Sequence, residues 1–98
     1  MMVSDRPQLV ELAGELASLE RAAIRAKDWG RVDGYRRASA IIVAHARSRA
    51  PDMRDAREAL RNVWRRQRRE LAAGPYVTAH LAALAEAVRW LTERLTRR

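Results

Sequence analysis

At 98 residues, with 48% hydrophobic side chains, the chain has one domain's length and a globular composition, which excludes a disordered tail. Its lack of cysteine removes disulfides, thiolate chemistry and cysteine-based zinc sites together, and fits a reducing, cytoplasmic setting. The net charge of +8 is uneven: residues 1–35 carry five basic and six acidic side chains, whereas residues 36–98 carry fifteen basic and six acidic. A basic excess confined to one part of a chain points to an anionic partner.

Nineteen of the 20 basic residues are Arg, and Ala also occurs 19 times. GC-rich codons would explain Arg in place of Lys, but not why acids fail to balance the arginines after residue 35. The N-terminal residues contain no apolar stretch of the kind that targeting segments carry. The longest apolar run, Ala38–Ala46, is interrupted by Ser39 and His45 and falls far short of the ~20 residues of a bilayer span, so no membrane partner is expected.

Phe is absent, Gly and Pro are few, and Ala, Leu, Arg and Glu dominate, all strong helix formers. The pattern predicts four helices. Helix 1 spans about residues 7–27, capped by Asp5 or Ser4, with Pro7 in its first turn. Leu9, Leu12, Leu16, Leu19, Ala23 and Ala26 form its seam, and Val10, Ala13, Ala17 and Ile24 widen it into a face broad enough for two neighbours. Glu20 falls inside that face and calls for an Arg or hydroxyl partner.

Asp28 caps helix 2, about residues 29–49, whose first turns Gly30 and Gly34 weaken. Its inner face is Val32, Tyr35, Ser39, Ile42, Val43 and Ala46. The spacing of Asp28, Trp29, Val32, Tyr35 and Ala38 resembles the second helix of a helical-hairpin repeat, but the 34-residue recurrence of such arrays is absent.

Pro51 ends helix 2, and Asp52 opens helix 3, about residues 52–73. Gly74 is read as the residue just past its end and Pro75 as its stop. Helix 4 covers about residues 76–96, with a seam of Val77, Leu81, Leu84, Val88, Leu91 and Leu95. Short loops make consecutive helices antiparallel, so the expected fold is all-α: a small, up-down four-helix bundle forming one domain, residues 1–98. A three-helix core with one long helix held by a partner is the alternative.

On a helical wheel of helix 3, Met53, Ala56, Leu60, Val63, Trp64, Gln67 and Leu71 share the core face. Arg54, Arg57, Arg61, Arg65 and Arg68 share a stripe about 80° wide with no acid inside it. Arg66 and Arg69 lie further round. From Arg54 to Arg68 the stripe runs about 21 Å, and guanidinium forks suit phosphate oxygens. An exposed helix normally mixes charge signs, so five like charges on one stripe call for a neutralising partner. Arg36, Arg37 and Arg47 of helix 2 add to the positive surface, with Ala40 and Ala44 flattening it. Trp64 borders the stripe and is read as a core anchor rather than a base-stacking platform.

Trp90 lies opposite the helix 4 seam, with Ala83, Ala87 and Arg94 on its side; this is a candidate protein interface unless a neighbouring helix wraps there. Other motifs are lacking. No Glu-x-x-His pair for a di-metal bundle, glycine-rich phosphate loop or nucleophile elbow occurs, so no metal, cofactor or catalytic activity is expected. His45 and His80 are read as surface or boundary residues. A helix-turn-helix over Leu71–Leu84 would present Tyr76 to His80 without an Arg, a poor major-groove reader, so a DNA-binding regulator of that type ranks last.

In size, helical pattern and basic faces the chain resembles the small helical subunits of multi-subunit CRISPR surveillance complexes, though no diagnostic motif carries the likeness. The resemblance implies a non-catalytic subunit that holds nucleic-acid backbone, RNA or DNA, within a ribonucleoprotein and packs on other subunits or on itself. The competing expectation is a protein-interaction module, an inhibitor or adaptor docking on an acidic protein surface.

Overall fold

The computed structural model describes residues 4–98 as four helices: α1 (Arg6–Arg25), α2 (Trp29–Ala46), α3 (Met53–Glu70) and α4 (Pro75–Thr96). Local chemistry sets most of their ends. The Asp28 carboxylate accepts from the Arg31 amide at 3.2 Å and caps α2. Asp52 does the same for α3, accepting from the amides of Arg54 at 2.7 Å and Asp55 at 3.3 Å. The C-terminal end of α2 is closed by a distant side chain: Arg6 donates to the carbonyl oxygens of Ala46 at 2.9 Å and Ser48 at 3.1 Å. α3 stops three residues earlier than the sequence predicts. Leu71 is already extended, and Gly74, expected to terminate α3, is instead the N-cap of α4. Pro75 is the first residue of α4, and a residue before proline is held out of the helical region.

Consecutive helices alternate in direction. α1 and α2 are antiparallel, with Arg6 at Ala46 and Glu20 at Arg36. α3 and α4 form the second antiparallel pair, joined near their turn by the side chains of Gln67 and His80. The two hairpins meet through α2 and α4, which run parallel: Gly30 lies against Tyr76 and Ala79, Gly34 against His80 and Ala83. The spatial order is therefore α1, α2, α4, α3, with little contact between α1 and α4. The result is an elongated bundle of 47 × 28 × 23 Å.

Gly30 and Gly34 are what bring α2 and α4 together. A Cβ at Gly34 would sit 2.6 Å from both the Ala83 Cβ and the His80 carbonyl oxygen, and one at Gly30 would collide with the Tyr76 carbonyl oxygen. The two glycines weaken the helix, as their composition predicts, and in exchange let the α4 backbone approach. Ala38 of α2 and Ala83 and Ala87 of α4 are at most 1% exposed.

The core is one cluster running the length of this arrangement, with Leu9, Leu12, Leu16, Ile42, Met53, Leu60, Leu84 and Leu91 fully buried. α1, at the end of the row, packs on α2 and leaves Val10, Ile24 and Ala26 of its predicted apolar face exposed. Val10 stays 58% exposed and Ile24 39%. Leu71, predicted on the core face of α3, is 39% exposed because it lies past the end of the helix. Glu20 has the Arg partner its position called for, Arg36 at 3.4 Å.

Asp5 is used in a way its sequence position does not reveal. It makes no side-chain cap on α1, whose Arg6 amide donates to Ser4 Oγ instead at 3.2 Å. The buried Asp5 carboxylate accepts from the Met53 amide at 2.8 Å, satisfying the first N–H of α3. Its other oxygen pairs with Arg98. One side chain thus joins the start of α1, the start of α3 and the C-terminal end of α4.

Candidate nucleic-acid interface

α3 is anchored on its inner side by Met53, Ala56 and Leu60, all within 2% of full burial. Val63 and Trp64 are partly buried against the same core. That anchoring turns the opposite arc outward. Arg54, Arg65, Arg66, Arg68 and Arg69 are exposed, whereas Arg57 and Arg61 are half-buried along the edge of the arc. The stem of Arg57 reaches inward far enough that its Nε is shielded from solvent without a hydrogen-bond partner among the described residues.

The charge of this arc is almost uncompensated. Arg65 lies 3.8 Å from Glu58 of its own helix and 3.4 Å from Asn62 Oδ1. Both members of the Arg65–Glu58 pair are more than half exposed, so the pair is weak. Among the described residues no other acid approaches an α3 arginine within ion-pair distance. Arg68 places its guanidinium 5.3 Å from the centre of the Trp64 ring. The surface is shallowly furrowed, and three adjoining depressions share Arg65: one on α3 alone, one beside Trp64 and Arg68, and one between α3 and α4 floored by Ala85 and Val88.

The basic residues of α2 do not all join this arc. Arg36 turns to α1, where Glu20 lies at 3.4 Å, and its side chain stays more than half exposed. Arg37 is exposed on α2, near enough to His80 to oppose protonation of its ring. Arg47 is exposed at the C-cap of α2, the end at which the chain turns into α3. The candidate interface is therefore centred on α3, with Arg36 lying toward α1.

The predicted protein interface on α4 is corrected by the fold. Ala83 and Ala87 are buried against α2, which occupies the side of α4 that the helical wheel left open. Trp90 is partly buried. Arg94 lies over its ring at 4.4 Å and binds Glu11 of α1 at 3.1 Å. This cluster therefore includes a surface ion pair between α4 and α1.

His80, read from the sequence as a surface or boundary residue, is 6% exposed because it sits where α2, α3 and α4 converge. Its Nε2 meets Gln67 Oε1, its Nδ1 is buried without a partner among the described residues, and burial lowers its pKa. On the other side of the α2–α4 contact, the Tyr35 hydroxyl donates to Glu86 at 2.6 Å. Burial and that hydrogen bond raise the Tyr35 pKa. Among the described residues no three His, Asp or Glu side chains gather as a metal ion would require, and no helix is long and apolar enough to cross a membrane.

The floor of the α3–α4 depression was not legible from helix 3 alone. Ala85 and Val88 come from α4, and only their antiparallel register against Arg61 and Trp64 brings them there. No family model, curated protein or solved structure matches this chain.

Proposed function

We propose that the protein is a non-catalytic, nucleic-acid-backbone-binding small subunit of a larger ribonucleoprotein or protein assembly, and that α3 is its binding rail. The observation that carries this reading is the uncompensated arc itself. Among the described residues, Arg65 is the one of the seven α3 arginines with an acid within 4.0 Å, and that acid is on the same helix. Holding so many like charges on one rigid face costs repulsion that a polyanion removes. Arginine forks spaced along a helix match phosphates along a strand, and contacts of this kind position a backbone without reading sequence. The likeness to small CRISPR-complex subunits belongs to this proposal and adds a setting, not a mechanism.

The test is fluorescence anisotropy with labelled oligonucleotides across a salt series. Each neutralised phosphate contributes about −0.7 to the log–log salt slope on single strands and about −0.9 on duplex, so five contacts give about −3.5 to −4.5. Changing Arg54, Arg61 and Arg65 to Ala should reduce the slope by about 2 to 3 with helicity retained. Absence of binding by the wild-type protein at low salt refutes the reading. Salt-dependent capture of a highly acidic protein in its place would support docking on an acidic protein surface.

A further inference from the structure

Resting on the backbone-binding reading, we infer that the depression between α3 and α4 is a stacking slot for one unpaired base, which makes the ligand single-stranded nucleic acid. The slot is an open depression of about 250 Å³ lined by Arg61, Trp64, Arg65, Ala85 and Val88, room for one planar heterocycle to enter from solvent. Its chemistry is divided as a nucleotide is. Trp64, Ala85 and Val88 supply an apolar wall and floor, and Arg61 and Arg65, one helical turn apart, supply cations at the rim.

Trp64 is held in place for this role. Part of its ring packs on the core and fixes its orientation. Arg68 places its guanidinium 5.3 Å from the ring centre, in the neighbouring depression lined by Trp64, Arg65, Arg68 and Arg69. A base in the slot meets the indole next to that contact, and Arg68 remains available to the phosphates. Ala85 keeps the floor low where a larger side chain on α4 would fill the space. A duplex keeps its bases paired and stacked inside and offers this surface only phosphate, so it gains nothing from the slot. An unpaired strand gains both rail and stacking.

The experiment compares three oligonucleotides of equal length by anisotropy: oligo-dT, a strand with the same phosphates but abasic sugars, and a duplex. Oligo-dT should bind about tenfold more tightly than the abasic strand. Trp64→Leu should abolish that difference while leaving the salt slope unchanged. Ala85→Leu fills the slot from α4 with Trp64 in place and should do the same, which keeps the slot testable where Trp64→Leu loses its fold. Equal binding of oligo-dT and the abasic strand, or a Trp64→Leu loss as large on duplex as on oligo-dT, overturns the slot while the rail stands. Failure of all three to bind overturns the rail, and the slot with it.

Discussion

Replacing Gly34 by alanine puts a methyl group 2.6 Å from both the Ala83 Cβ and the His80 carbonyl oxygen. Carbon–carbon contacts are most favourable near 3.5–4.0 Å, so about 1 Å must be recovered. The carbonyl is backbone within a helix and cannot rotate away, which leaves separation of α2 from α4 as the response. Overpacking of this kind costs about 1–3 kcal/mol, against about 1 kcal/mol gained because Ala is the better helix former. Gly14 supplies the control. It is also inside a helix but exposed, and a Cβ there would meet nothing within 4 Å. Gly14→Ala therefore keeps the propensity gain without the clash and should raise the melting temperature by about 4–8 °C. Gly34→Ala should melt about 4–24 °C below Gly14→Ala, the range that about 1–3 kcal/mol spans in a domain of this size. Thermal unfolding followed by far-UV circular dichroism measures both. If the two substitutions stabilise equally, α2 and α4 are not in contact at this register, and the spatial order α1, α2, α4, α3 is wrong.

Three further substitutions probe other parts of the fold. Asp5→Ala strands the Met53 amide and the Arg98 guanidinium at once; it should lower stability in urea by about 1–3 kcal/mol, and an unchanged midpoint at equal m-value would contradict the node. His80 has a folded pKa below 6.5, its ordinary value, because it is buried. The unfolded state then binds more protons than the folded state just below that pH, so stability is complete above about 6.5 and falls as the pH drops through it. His80→Gln should flatten this dependence in urea titrations at about pH 7.5 and about pH 5.5, whereas an identical pH response in both proteins would remove His80 as its source. Lys27 follows the end of α1 with φ 55°, the left-handed region that favours glycine. Lys27→Gly should stabilise by about 0.5–1 kcal/mol, read as a higher melting temperature, and a loss of stability would count against that backbone conformation.

The four helices and the arginine stripe are legible in the sequence because both are local properties. Apolar residues recurring at three and four positions define a helix face, Asp28 and Asp52 supply acceptors for orphan amides, and Pro51 and Pro75 bar the helix behind them. The stripe follows from helical geometry alone once α3 is a helix, and its core anchors Met53, Ala56 and Leu60 are where the wheel puts them. What lies opposite each face is settled only when the helices pack. A wheel shows that Ala83 and Ala87 share an outward arc, but not that two glycines on α2 admit that arc to within backbone contact. It shows that Glu20 needs a cation, but not that Arg36 is the one. The same holds for His80 at a three-helix junction, for Asp5 capping a helix that begins 48 residues later, and for a slot whose wall and floor come from different helices. Each depends on the register between two elements, a property of the pair that neither helix encodes alone.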